Sequence, residues 1–142
     1  NYEQIVKTAN KLSKNQNIIF DANELHHFGE LLNKQGKTKQ ASQVFNLNHQ
    51  LFSKVNLAKE SIDEFIGEYK LEGFSINVSK NGNALFITAT NDATLPIFSV
   101  SQSRFILKAV EASITFKKDE NARINGLMLN LNNQDLFGKK LQ

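Results

Sequence analysis

A chain of 142 residues, 40% of them hydrophobic, is the size of one ordinary domain and buries roughly two-thirds of the surface its unfolded form exposes, which excludes a disordered segment. Its net charge of +3 is the balance of fifteen Lys and two Arg against fourteen acids. These charges are scattered along the chain, whereas a nucleic-acid partner needs cations gathered on one face, so no nucleic-acid partner is expected.

Zero Cys removes disulfides, thiolate metal sites and cysteine nucleophiles. Apolar runs of four or five residues fall far short of the roughly 20 that span a bilayer as a helix, and no membrane insertion is expected. The chain starts at Asn1 without a basic-then-apolar leader and reads as a piece of something longer.

Up to about residue 58 the apolar residues recur at helical spacing. Tyr2, Ile5, Val6, Ala9 and Leu12 form one stripe. Leu25, Phe28, Leu31 and Leu32 form a second, and Ala41, Val44, Phe45, Leu51 and Phe52 a third. Three helices are predicted. Asp21 with Glu24 three residues later makes a capping box for the second, and Gly36 stands where a left-handed C-cap is wanted. The turn Gly36-Lys37-Thr38 is short, so the second and third helices lie antiparallel, with Thr38 available to cap the third.

From about Glu60 the period changes to alternating runs broken by turn residues. Gly67–Leu71 comes first, and Phe74–Val78 follows. The Asn-Gly turn of Lys80-Asn81-Gly82-Asn83 then returns the chain through Leu85–Thr88. Leu95–Val100, Arg104–Lys108, Ala112–Phe116, Arg123–Leu131 and Leu136–Leu141 complete about eight strands in about 75 residues. Linkers this short permit only antiparallel meandering, and such a sheet closes or covers its edges. The fold class expected is therefore α+β: a helical arm over 1–58, then a lipocalin-like antiparallel barrel or curved sheet over 59–142.

Two resemblances attach to these halves. Leu25, Phe28, Gly29, Leu32, Ala41 and Phe45 fall at the spacings of one tetratricopeptide repeat, in which the small Gly29 and Ala41 let two helices approach. The second half resembles the β-rich domain of unknown function appended to the C-terminal end of β-lactamase-like serine hydrolases. The likeness rests on Phe65-Ile66-Gly67-Glu68-Tyr69, Leu85, Phe98, Ile114-Thr115-Phe116, Ile124, Gly126 and Leu127, with Gly36-Lys37, Ala41, Phe45 and Asn48 in the helical region before it. Asn121-Ala122 departs from the Asp-Gly or Asn-Gly turn usual there. The resemblance implies a bacterial accessory module, periplasmic or secreted, whose partner is its own upstream hydrolase domain.

Catalytic and ligand-binding patterns are missing from the chain itself. A β-lactamase-like enzyme needs Ser-x-x-Lys, and stretches such as Ser13–Gln16, Ser42–Phe45 and Ser101–Arg104 do not end in Lys. Gly36-Lys37-Thr38 lacks the glycine five residues earlier that a phosphate loop requires, where Leu31 stands. His26 and His27 are adjacent and point about 100° apart on a helix, which suits no shared metal. Asp63-Glu64 and Asp119-Glu120 read as caps and turns. No catalytic, cofactor or metal residue is assigned, and no cofactor is expected.

Two other readings remain open: a barrel that binds a small apolar ligand, or a helical hairpin that docks a protein. Phe74, Ile76 and Val78 share one strand face, Leu85 and Ile87 one face of the partner strand, with Phe86 on the other. The expectation is that inward side chains meet each other and leave no enclosed cavity larger than a few waters.

Overall fold

The computed structural model describes residues 21–55, 57, 59–90 and 92–141; the expected helix over Tyr2–Leu12 lies outside them. The chain divides into two compact units, with the boundary after Phe52.

The first unit is a helical hairpin, α1 (Ala22–Lys34) and α2 (Thr38–Phe52). Asp21 accepts the Glu24 backbone N–H on Oδ1 at 2.7 Å, satisfying one of the free donors at the helix start. The other end closes as a Schellman motif. Lys37 N–H reaches Leu32 O at 2.9 Å, Gly36 N–H reaches Asn33 O at 3.0 Å, and Gly36 takes the positive φ of +80° that this cap demands. Thr38 is the first residue of α2, and the Ala41 N–H bonds back to Lys37 O.

The two helices run antiparallel, as the buried Asn48 near the end of α2 shows by donating to Ala22 O at the start of α1. Between them the Phe45 ring lies against Gly29, where any Cβ would collide with it, and Ala41 is fully buried.

The second unit begins with the segment after α2, which is clasped to a strand: Lys54 N–H donates to Ser99 O at 2.8 Å, and Ser99 Oγ donates to Val55 O at 2.6 Å. A short helix follows, α3 (Lys59–Phe65). The period of the sequence does not announce it, because two turns offer only Ile62 and Phe65 as apolar markers.

Eight strands come next: β1 (Gly67–Lys70), β2 (Ser75–Asn81), β3 (Ala84–Ala89), β4 (Thr94–Ser99), β5 (Arg104–Ile106), β6 (Ala112–Lys118), β7 (Ile124–Leu131) and β8 (Gln134–Lys140). Each pairs antiparallel with its sequence neighbour. β1 pairs with β8 through Tyr69↔Lys140 and Lys70↔Lys139, which closes the barrel. The α+β expectation holds, with the barrel complete and not an open curved sheet.

Turn chemistry explains the reversals. Register pairs Asn81 with Ala84, so the tight turn is Gly82-Asn83, one residue later than the Asn-Gly reading, with Gly82 supplying φ of +64°. Asn132 and Asn133 both take positive φ between β7 and β8, as a two-residue hairpin turn requires. Between β6 and β7, Asp119 Oδ1 accepts the Asn121 and Arg123 N–H groups at 2.8 and 3.1 Å. This fold-back forces Ala122 to φ of +61°, a conformation in which its Cβ crowds the carbonyl oxygen. Pro96 is tolerated inside β4 because β5 pairs only with Phe98 and Ser99.

Two substitutions test this account. Gly29→Ala forces the Phe45 ring aside and lowers stability by about 1–3 kcal/mol, read from chemical denaturation; an unchanged midpoint would remove the close contact. Ala122→Gly relieves the left-handed alanine and raises stability by about 1 kcal/mol, seen as a higher melting temperature.

Candidate functional site

The barrel interior is the first place where a site could lie. Alternation along each strand sends Tyr69, Ile76, Val78, Leu85, Ile87, Ile97, Phe105, Ile114, Phe116, Leu127 and Leu129 inward, and all are buried in one contiguous cluster. α3 adds Ile62 and Phe65 to the same cluster at the end where β1 starts and β8 finishes.

The Phe65 ring stacks on Phe116 with centroids 4.4 Å apart and meets Phe105 edge-on at 5.3 Å; Phe116 in turn meets Phe105 at 5.5 Å and Tyr69 at 5.7 Å. Offset and edge-on pairs of this kind add about 0.5–1.5 kcal/mol each beyond their burial. The Tyr69 hydroxyl donates to Phe65 O at 2.8 Å, and burial pushes the phenol well above its ordinary pKa. Tyr69 is thus a neutral strut tying the strand to the end of α3, unsuited to acid–base work near neutral pH. Among the described residues the interior is thus packed with the protein's own side chains. Phe86 and Phe98 point to the outside of β3 and β4 and are buried as well, which is why Ala84–Ile87 reads as a continuous apolar run.

Two clefts on the barrel surface are built from described residues. The larger, about 530 Å³, lies where α3, the β6–β7 turn and the end of β8 meet, and is lined by Glu64, Asp119, Arg123, Lys139 and Lys140 among others. Two of its charges, Lys140 and Asp119, are already employed in the fold. Lys140 Nζ donates to Glu64 O at 2.8 Å and stands 6.0 Å from the centre of the Tyr69 ring, while Asp119 holds the turn. The smaller, about 350 Å³, lies between the β5–β6 and β7–β8 connections and is lined by Arg104, Glu111, Asn130, Asn132 and Asn133 with the edges of Ile106 and Leu107. Both are open and polar-edged. Small-molecule sites are concave and largely apolar, so neither has that character.

The structure separates the neighbouring carboxylates Asp63 and Glu64, and it brings the neighbouring His26 and His27 to one carboxylate, that of Glu30. Asp63 pairs with Lys80 at the end of β2, and Glu64 turns to the larger cleft. His26 is buried with Nε2 3.3 Å from Glu30, and His27 is exposed with Nδ1 4.0 Å from the same carboxylate. His49 is buried too, and loss of solvation pushes its pKa down, which keeps the ring neutral at neutral pH. Among the described residues no three His, Asp or Glu side chains gather as a metal site would need. No described helix is long and apolar enough to cross a membrane.

Sequence reasoning missed α3 as the barrel's plug and Ser99 as its clasp. The only signal for the plug was Phe65 lying four residues before Tyr69.

Fold and interior together define an α+β chain whose β unit is a closed eight-stranded antiparallel barrel around one contiguous cluster of its own buried side chains. No protein-family model matches the chain, and comparison with curated proteins finds no relative.

A filled interior has a measurable consequence. Phe116→Ala removes the ring at the centre of the aromatic cluster and costs about 3–5 kcal/mol, observable as a lower denaturation midpoint. A loss below about 1 kcal/mol would show an interior loose enough to re-pack around the missing ring.

Proposed function

We propose that this chain is a non-catalytic accessory module of a β-lactamase-like serine hydrolase, bacterial and exported, whose partner is the catalytic domain upstream of it. The single observation that supports this reading best is the self-filled barrel. Its inward side chains, Phe65 of α3 included, serve the core and leave the β unit's chemistry to its outer surface.

The sequence supports it from the other side. The serines of the chain lack a lysine three positions later, so the nucleophile pair such hydrolases use has to come from elsewhere. The resemblance of residues 22–141 to the appended β-rich domain supplies the identity of that elsewhere, and the tetratricopeptide-like hairpin stands where that family carries a helical linker. A module of this kind acts by stabilising the catalytic domain, shaping access to it or contacting its substrate.

The test has two arms. The purified chain should leave β-lactam and ester reporters unturned, while the full-length gene product should carry Ser-x-x-Lys upstream of Asn1 and turn over one of them. Turnover by the isolated chain that a single serine-to-alanine change abolishes would overturn the reading, and so would a full-length product without that motif.

A further inference from the structure

The strand register gathers lysines that the sequence keeps far apart. Lys117 on β6 pairs with Gly126 on β7, Gly126 with Lys139 on β8, and Lys139 with Lys70 on β1. All four residues face outward, since Phe116, Leu127 and Tyr69 beside them face in. Adjacent strands lie about 4.8 Å apart, so three exposed ammonium groups form one row across four strands.

Among the described residues none of the three makes an ion pair. Lys70 and Lys139 stand directly opposite each other, and like charges so placed are destabilising. Glu68, two residues from Lys70, is the acid on the ladder itself, Glu64 and Asp119 line the cleft that Lys139 shares with Arg123 and Lys140, and Asp135 farther down β8 is held by Asn130.

An aromatic platform lies beside the row. Phe137 is two residues from Lys139 on the same face, and at 53% exposed it is the one exposed Phe or Tyr among the described residues. Its ring lies across Gly126: a Cβ there would come within 2.8 Å of Phe137 Cζ. The missing side chain of Gly126 thus leaves room for the far edge of the ring, and the rest of Phe137 stays open to solvent.

We propose that the outer face of β6, β7, β8 and β1 binds an acidic polysaccharide, with Lys70, Lys117 and Lys139 taking its anionic groups and Phe137 carrying one sugar ring on its open face. The row matches a chain of regularly spaced anions, and an anion between Lys70 and Lys139 relieves their repulsion. A single flat ring suits the C–H face of one sugar, whereas single-stranded nucleic acid is held by a succession of stacking platforms. This site does not depend on the hydrolase reading.

Calorimetric titration of the full chain with polygalacturonate and with heparin tests the proposal, with neutral dextran and an oligo(dT) as comparators. Saturable binding to at least one acidic polymer is expected, none to dextran, and weaker binding as salt is raised. Lys70→Gln with Lys139→Gln should weaken binding on the order of tenfold, and Phe137→Ala about fivefold or more. Lys34→Gln with Lys37→Gln on the helical unit should change it less than about twofold.

All these positions are exposed, so thermal midpoints should stay close to that of the unmodified protein. As a check that needs no variant, polygalacturonate should shield Lys70 and Lys139 from acetylation while leaving Lys34 reactive. Absence of saturable binding to both acidic polymers, equal losses in the control pair, or tighter binding of oligo(dT) through the same lysines would each overturn the proposal.

Discussion

The contact on which the β unit depends is the stack of Phe65 on Phe116, locked by the Tyr69 hydroxyl on Phe65 O. A meander of eight short strands has a hydrophobic inside and two open ends, and its closure buries that inside only if the ends are sealed. α3 seals one of them with Ile62 and Phe65. The hydroxyl bond then fixes where β1 starts relative to the helix, and β1 is one of the two strands that close the barrel. Ring stacking, strand placement and closure are thus one cooperative arrangement.

Much of this was legible in the sequence, for reasons that can be named. The alternation of Phe74–Val78, the turn residues at regular intervals and the short linkers left antiparallel meandering as the economical topology, and eight strands appear where eight were expected. Asp21 and Gly36 mark their helix ends because capping is local chemistry. The plug was not legible, since a helix of two turns has no period to read, and its partner Phe116 lies 51 residues away. The turn at Gly82-Asn83 escaped by one residue because either neighbour of Gly82 is an Asn, and only the cross-strand register decides between them.

Electrostatics shows the same division between local and non-local information. Along the sequence the lysines look evenly diluted by acids, which is why no charged face was expected. A sheet folds distance away: Lys70 and Lys139 are 69 positions apart in the chain and directly opposite in the barrel. Charge patterning read in one dimension underestimates what an antiparallel sheet can gather, because the register sets the neighbours and the register is a tertiary fact.

The pairing of β1 with β8 has a consequence for how the chain acquires its structure. The hairpins between β2 and β8 can zip in sequence, each closing a short loop at small entropic cost. The last ladder, Tyr69↔Lys140 and Lys70↔Lys139, brings together the two extremes of the β unit and waits for every strand between them. A nascent chain therefore leaves the ribosome with β1 lacking one of its two neighbours until β8 has been made. During that interval the exposed edge is open to pairing with other chains. High separation between contacting residues also slows the search itself. The short, charged sequence of β1, Gly67-Glu68-Tyr69-Lys70, guards that edge, since two of its four residues carry charges of opposite sign on the outward face and offer little to a wandering partner.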